Sequence, residues 1–448
     1  MDAGTEYRVP VPSGSLRAGE SRSQPRWLPI EQSTVSSQLR SQSMRLRFAL
    51  LPFLLAAPAV AQTADTARVP LAARPAVVRG LYVNRWAAVG NRIWTLIDVA
   101  KRTEVNALVI DVKDDRGYLL YRSSVPLARS IGADRFTPMS ASRLRAVLDT
   151  MRAHGIHPIA RIVVAKDPLL AHARREWAVL RRSDGKPWLD AHGNPWLDPH
   201  HRAVWTYAAD LADEAVRLGF AEVQYDYVRF PDERRLLAEA RFPLAKGRRR
   251  DAVIREQLGY LWTRLALSGA PMAIDVFGAT TTIDNDMGIG QTWEQFADQA
   301  EFVLPMTYPS HYPRGSYGIA YPNAQPYAVL DRALRGARVR NRGIANAGEV
   351  VPWYQDFTMG KPKYGVEQLR AQMQAGYDNG MFSWMLWNAA SRYTVKAFRP
   401  AILDPAEESP RWIERMASDS VAPPPSVIAP LKTPPSMPDR SRSGSAPR

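Results

Sequence analysis

Phe220-Ala-Glu-Val-Gln-Tyr-Asp-Tyr-Val-Arg-Phe-Pro231 decides the fold. Val223, Tyr225, Tyr227 and Val228 favour a pleated, buried surface. Asp226 and Arg229 put charge at the C-terminal end of that run, and Pro231 cannot continue a central strand. A buried carboxylate is costly unless it is paired or used. A (β/α)₈ barrel carries its chemistry on acids placed at the C-terminal ends of its strands. The segment alone leaves two readings open, a catalytic Asp226 or a structural Asp226–Arg229 pair.

Working outward, apolar runs of strand length alternate with amphipathic helical stretches, the pattern of a parallel α/β fold. The expected strands are 78–84, 105–113, 156–164, 220–231, 271–278, 302–308, one within 342–357, and 380–387. Helical spacing falls at 93–103, 142–154, 203–218, 252–267, 293–300, 327–337 and 366–379. Gly155 and Gly219 follow two of these stretches as helix stops. Eight strands with intervening helices predict one α/β (β/α)₈ TIM barrel, with no internal repeat. A long connection after strand three, 165–201, carries the turn signals Asp184-Gly185 and His192-Gly193, so a loop excursion is expected there.

The ends differ from the middle. Arg45 and Arg47, the apolar stretch 48–57 and Ala59-Val60-Ala61 have the form of a signal peptide at 44–61. The apolar stretch is shorter than the roughly 20 residues a spanning helix needs. Met44 is then the expected start, with 1–43 an upstream mis-translated or disordered segment. A linker at 62–76, the barrel at 77–416 and a disordered Pro/Ser-rich tail at 417–448 complete the expected organisation. The expectation is an exported protein, periplasmic or secreted, with no transmembrane segment in the mature chain.

The chain has 448 residues and no cysteine, so disulfides, thiol nucleophiles and cysteine metal sites are excluded. Its net charge of +15 comes from 59 Lys+Arg against 44 Asp+Glu. The cationic excess is spread along the chain without a nucleic-acid motif, so no nucleic-acid partner is expected; anionic envelope polymers or a plain basic surface both account for it. The histidines lack His-Glu-x-x-His spacing, and no Walker loop, nucleophile elbow or dinucleotide fingerprint occurs. No metal and no cofactor are expected, and nothing in the sequence sets an oligomeric state.

Polar residues at the strand ends are the site candidates. Strand two offers Asp111 and Lys113, two apart and so on one side of a regular strand. Strand four offers Asp226 and Arg229, and strand five Asp275, with no cation beside it in sequence. Strand six offers Tyr308 and His311, strand seven Gln355 and Asp356, and strand eight Trp387 and Asn388. Converging carboxylates with aromatic neighbours suit glycoside hydrolysis. One acid protonates the leaving oxygen; a second acts as nucleophile or activates water. Asp111 and Lys113 could equally form a buried ion pair.

Val78–Asn84, Val109–Asp114, Trp196-Leu-Asp-Pro199, Tyr225–Pro231, Ile274–Gly278, Pro305–Tyr312, Pro352–Phe357 and Trp384–Ala389 together resemble the putative glycoside hydrolase domain known as DUF4015, over about 77–400. That resemblance implies a TIM barrel related to α-amylase-type glycosidases. Such barrels place the nucleophilic Asp after strand four and the acid/base after strand five, where Asp226 and Asp275 fall. The sequence departs from the amylase pattern in having Asp rather than Glu at 275, and Gln224 where an Arg precedes the nucleophile by two. The expected function is cleavage of O-glycosidic bonds in a polysaccharide or cell-envelope glycan. Asp226 and Asp275 would be catalytic, Arg229 would orient Asp226 and hold it ionised, and the remaining candidates would line the sugar site. The alternative is a barrel that binds glycan in envelope assembly without cleaving it.

Overall fold

The computed structural model describes residues 71–401. The segments expected as signal peptide (44–61) and tail (417–448), and the whole of 1–43, lie outside the described residues. So do most of the linker and the last residues assigned to the barrel.

Eight parallel strands close into a barrel: β1 Arg79–Val83, β2 Ala107–Lys113, β3 His157–Val163, β4 Glu222–Asp226, β5 Met272–Phe277, β6 Phe302–Met306, β7 Trp353–Gln355 and β8 Trp384–Trp387. Each pairs with the next, and β8 pairs with β1 through Arg79–Trp384, Gly80–Met385 and Leu81–Leu386. These strands are buried on both faces, one against the barrel interior and one against helices. They therefore read as apolar runs rather than alternating ones.

Helices between the strands form the outer shell: α1 Arg92–Arg102, α2 Ala141–Ala153, α3 Arg202–Leu218, α4 Arg250–Ala266, α5 Pro326–Asn341 and α6 Val366–Asp378. α3 shows how the sequence sets an element. Val204, Ala208, Leu211 and Ala215 recur at helical spacing and are buried, while Gly219 ends the helix in a left-handed conformation (φ 111°) that launches β4. Several expectations shorten: the strand expected over 220–231 is confined to Glu222–Asp226 and that over 380–387 to Trp384–Trp387. The helix expected over 293–300 is a single turn, Trp293–Phe296, and the seventh strand is broken at Val351-Pro352 into Glu349–Val350 and β7. Proline lacks the N–H that a continuous ladder would use. The excursion after β3 is present. It pairs Leu180–Arg181 antiparallel with Ala240–Arg241 from the loop after β4, so both loops stand together above β3 and β4.

Inside the barrel, Val109, Ile159, Ala273, Leu304, Val351 and Met385 form an apolar plug. Gly80 makes room for it, because a Cβ there would collide with Met385 Sδ. Two residues further along the strands, the inward positions change character to Asp111, Arg161 and Asp275. A polar layer therefore rests on a dry floor at the C-terminal end of the barrel, where this fold carries function.

Candidate active site

Arg161, from the middle of β3, organises that layer. Its Nη1 donates to Asp111 Oδ1 (2.5 Å) and its Nη2 to Asp226 Oδ2 (2.5 Å). Its Nε lies 3.2 Å from Asp226 Oδ2 and 3.9 Å from Asp275 Oδ2, which puts these two carboxylate oxygens within about 7 Å of each other. That upper limit admits the separation of a retaining pair, about 5–5.5 Å, and the lower end of the inverting range, roughly 6.5–9.5 Å. All four side chains are buried, and the guanidinium stacks against the Tyr82 and Trp387 rings at 5.4 and 5.2 Å.

One cation facing three buried carboxylates leaves an excess of negative charge, and protons are the simplest relief. Burial, followed by the charge of Asp226, pushes Asp275 well above the usual carboxylate range, against the opposing pull of Arg161. Asp275 accepts from Trp353 Nε1 at 2.6 Å and from Gln224 Nε2 at 2.9 and 2.8 Å. Gln224 Oε1 is buried without a partner. A half-turn of this amide, whose ends are nearly isosteric, presents that oxygen to a protonated Asp275. Asp111, which accepts from Tyr82 Oη at 2.6 Å, is pushed up by burial to about 6. Tyr308 is buried beside the layer, and burial together with Asp275 and Asp226 holds its phenol protonated.

Local backbone irregularity aims these groups. A β-bulge between Asp111 and Lys113 shifts the β2 register, a feature that recurs beside active sites because it re-aims side chains. Tyr227, directly after Asp226, has φ 55°, a sparsely populated conformation for a bulky residue; its N–H donates to Asp226 Oδ1 at 2.5 Å.

The structure gathers some sequence candidates and separates others. Asp111, Asp226, Asp275, Tyr308 and Trp387 surround the polar layer. Trp387 stacks on Tyr82 with ring centroids 3.9 Å apart. His311 sits exposed on the rim, edge-on to Tyr308 at 5.3 Å. Lys113 does not share the side of Asp111. The bulge turns it outward, where it pairs with Asp167 at 2.8 Å and donates to Val163 O. Arg229 does not orient Asp226. The left-handed turn at Tyr227 carries it away to Asp232 (3.0 Å), between the rings of Trp196, Tyr227 and Phe277.

Three further candidates hold loops. Gln355 accepts from Ser310 N and donates to Phe357 O. Asp356 accepts from Thr394 N and Oγ1, both at 2.7 Å. Asn388 donates to Asp356 O and accepts from Ala390 N. Reading only strand ends passes over Arg161, Tyr82 and Trp353. The signal for Arg161 was present, since it breaks the apolar run 158–164 two positions after inward-facing Ile159.

A family model described as a putative glycosyl hydrolase domain, DUF4015, matches residues 80–393, which includes all but the first residue of the barrel strands. Among solved structures, a hypothetical protein from Ruminiclostridium thermocellum is 38% identical over 44% of this chain and 97% of its own, with a TM-score of 0.39. The glycoside hydrolase domain of PgaB (BpsB) from Bordetella bronchiseptica is 16% identical over 70% of this chain and 95% of its own, with a TM-score of 0.51, a likeness of fold. Comparison with curated proteins gave no match.

Proposed function

From a chain that belongs to the DUF4015 family of putative glycosyl hydrolase domains, we propose an exported hydrolase of a polysaccharide or cell-envelope glycan, with Asp275 as general acid and Asp226 as its anionic partner. The carrying observation is the pair itself: a carboxyl kept protonated by burial and by its neighbour's charge, within about 7 Å of that neighbour across one guanidinium. Dividing acid and base roles between two carboxyls in different environments is how one site performs both at one pH.

Asp275 gives its proton to the glycosidic oxygen as the C–O bond breaks. Asp226 then meets the developing positive charge at the anomeric carbon, either by attacking it or by activating the water that does. Water supplies the hydroxyl to that carbon and restores the proton to the pair. Tyr308, with its proton retained, can donate to a ring hydroxyl, and Trp387 offers an apolar face to sugar C–H groups. Arg161 supplies the cation beside Asp226 that the amylase pattern places at position 224, while Gln224 attends to Asp275 instead.

Release of reducing ends from a panel of envelope glycans and polysaccharides tests the reading. Asp226→Asn and Asp275→Asn should each lower turnover by on the order of a hundredfold or more while leaving the thermal transition in place. Wild-type-like turnover in either variant would overturn the assignment. The anomer first released, read by NMR, distinguishes attack by Asp226 from activation of water. Export is supported by the basic, apolar and small-residue order of 44–61; N-terminal sequencing of the secreted or periplasmic protein should begin near Gln62.

A further inference from the structure

The loops that follow Asp226 and Asp275 border an open cavity of about 390 Å³, lined by Asp232, Arg234, Arg250, Asn285 and Gly288 among others. That volume lies in the range of roughly 300–1,000 Å³ that small-molecule sites occupy. We propose that this cavity is a subsite for a sugar bearing an anionic substituent, so that the substrate is an acidic glycan. The inference rests on the hydrolase reading, which gives a cavity walled by the segments after Asp226 and Asp275 its meaning.

The cavity's cations are of two kinds. Arg250 is held in place: its guanidinium stacks on Phe230 and Phe242 at 5.2 and 5.1 Å, and Nη1 donates to Gly288 O. Its remaining N–H groups make no hydrogen bond among the described residues. A guanidinium fixed on one side and unsatisfied on the other suits a carboxylate or sulfate, which it can meet with two parallel hydrogen bonds. Arg234 is exposed at the wall and makes no ion pair among the described residues. In the same loop after β4, Arg235, Arg241 and Lys246 are also exposed and make no ion pair among the described residues.

The acid in the lining, Asp232, already has a partner in Arg229 at 3.0 Å. Two cations, Arg234 and Arg250, thus line the cavity against one acid that is already paired, while Asp286 and Asp198 act on Arg250 from outside the lining, and Asn285 adds an amide able to meet sugar hydroxyls. The walls belong to the two loops that follow β4 and β5. Phe230 N donates to Ile289 O, and Gln291 Nε2 reaches Val228 O and Asp275 O at 3.4 Å. These bonds tie the cavity walls to the chain segments that follow Asp226 and Asp275.

The test separates binding from cleavage. Calorimetric titration with an oligogalacturonate, with the same oligosaccharide after reduction of its carboxyls, and with a sulfated galactan oligosaccharide asks which anion is taken. The full chain should bind an acidic oligosaccharide on the order of tenfold more tightly than the reduced one. Arg250→Gln and Arg234→Gln should each remove most of that difference. Arg234→Gln matters because its side chain supports nothing in the fold. Arg145→Gln, on the exposed face of α2, should leave the preference intact, because a general basic field would respond to both changes alike.

Equal affinity for acidic and reduced forms would overturn the proposal. So would a preference that survives both cavity substitutions, or single-stranded DNA of equal charge competing as well as the acidic oligosaccharide. An acidic preference lost in both variants, with no reducing ends released from any substrate, would uphold the subsite and defeat the hydrolase reading. Cleavage of neutral glycans alone would do the reverse.

Discussion

Arg161 is worth more to this protein than its single charge suggests, because it faces Asp111, Asp226 and Asp275 together. Removing one partner of a buried ion pair costs roughly 3–5 kcal/mol, most of it for the charge left behind. Arg161→Met should therefore cost about that much at neutral pH, and less as falling pH lets the carboxylates take up protons. Urea unfolding at pH 7 and pH 4.5 checks this; an equal loss at both would remove Arg161 as counter-ion. Arg161→Lys keeps the charge but not the fork that reaches two carboxylates, so it should recover stability better than turnover.

Asp111 supplies a second test with a definite sign. Its folded value, about 6, lies above the ordinary 3.8, so the folded state holds the extra proton between those values. Keeping Asp111 buried costs nothing below about pH 4, and the cost of ionising it grows to on the order of 3 kcal/mol above pH 6. Asp111→Asn preserves an acceptor for Tyr82 and has nothing to ionise. The difference in unfolding free energy, variant minus wild type, should rise between pH 4 and 6. Parallel curves would mean that Asp111 titrates normally.

At the scale of elements, the strands were legible because parallel strands buried on both faces leave continuous apolar runs, and helix stops such as Gly219 mark where each begins. Asp111, Asp226 and Asp275 were legible by the same reasoning, since charge at the end of a buried run demands a use. The departures come from irregular backbone that residue spacing does not reveal. Period-two reasoning puts Lys113 beside Asp111, but one bulge shifts the register and reverses its direction. Adjacency puts Arg229 with Asp226, but the left-handed Tyr227 takes the chain out of the strand before residue 229 is reached. Arg161 itself was visible as a charge within an apolar run, but its partners were not, for a different reason. It lies within its strand, and its partners come from strands 50 and 65 residues away.

For the molecule as a whole, closure is what makes the polar layer possible. The site draws Asp111 from β2, Arg161 from β3, Asp226 from β4, Asp275 from β5 and Trp353 from β7, and only a closed ring holds all five around one axis. β8 completes that ring, pairing with β1 on one side and with β7 through Trp353–Met385, Tyr354–Leu386 and Gln355–Trp387 on the other. It also supplies Met385 to the apolar plug and Trp387 to the floor of the site. A chain ended at Asn379 would leave the ladders of β1 and β7 unpaired, and exposed edges of buried, apolar strands invite association with other chains. It would also open the plug to water beneath three carboxylates that are tolerable only while enclosed with Arg161. The truncated chain should therefore show no cooperative thermal transition and should elute as aggregate in size-exclusion chromatography. Adding a separate peptide spanning 380–401 should not restore it at micromolar concentration, because a strand of four residues pairs strongly only when the chain delivers it. A monomeric truncated protein with a sharp transition would show that the barrel closes without its eighth strand, and the origin of the site's rigidity would then have to be sought in the β2–β5 half alone.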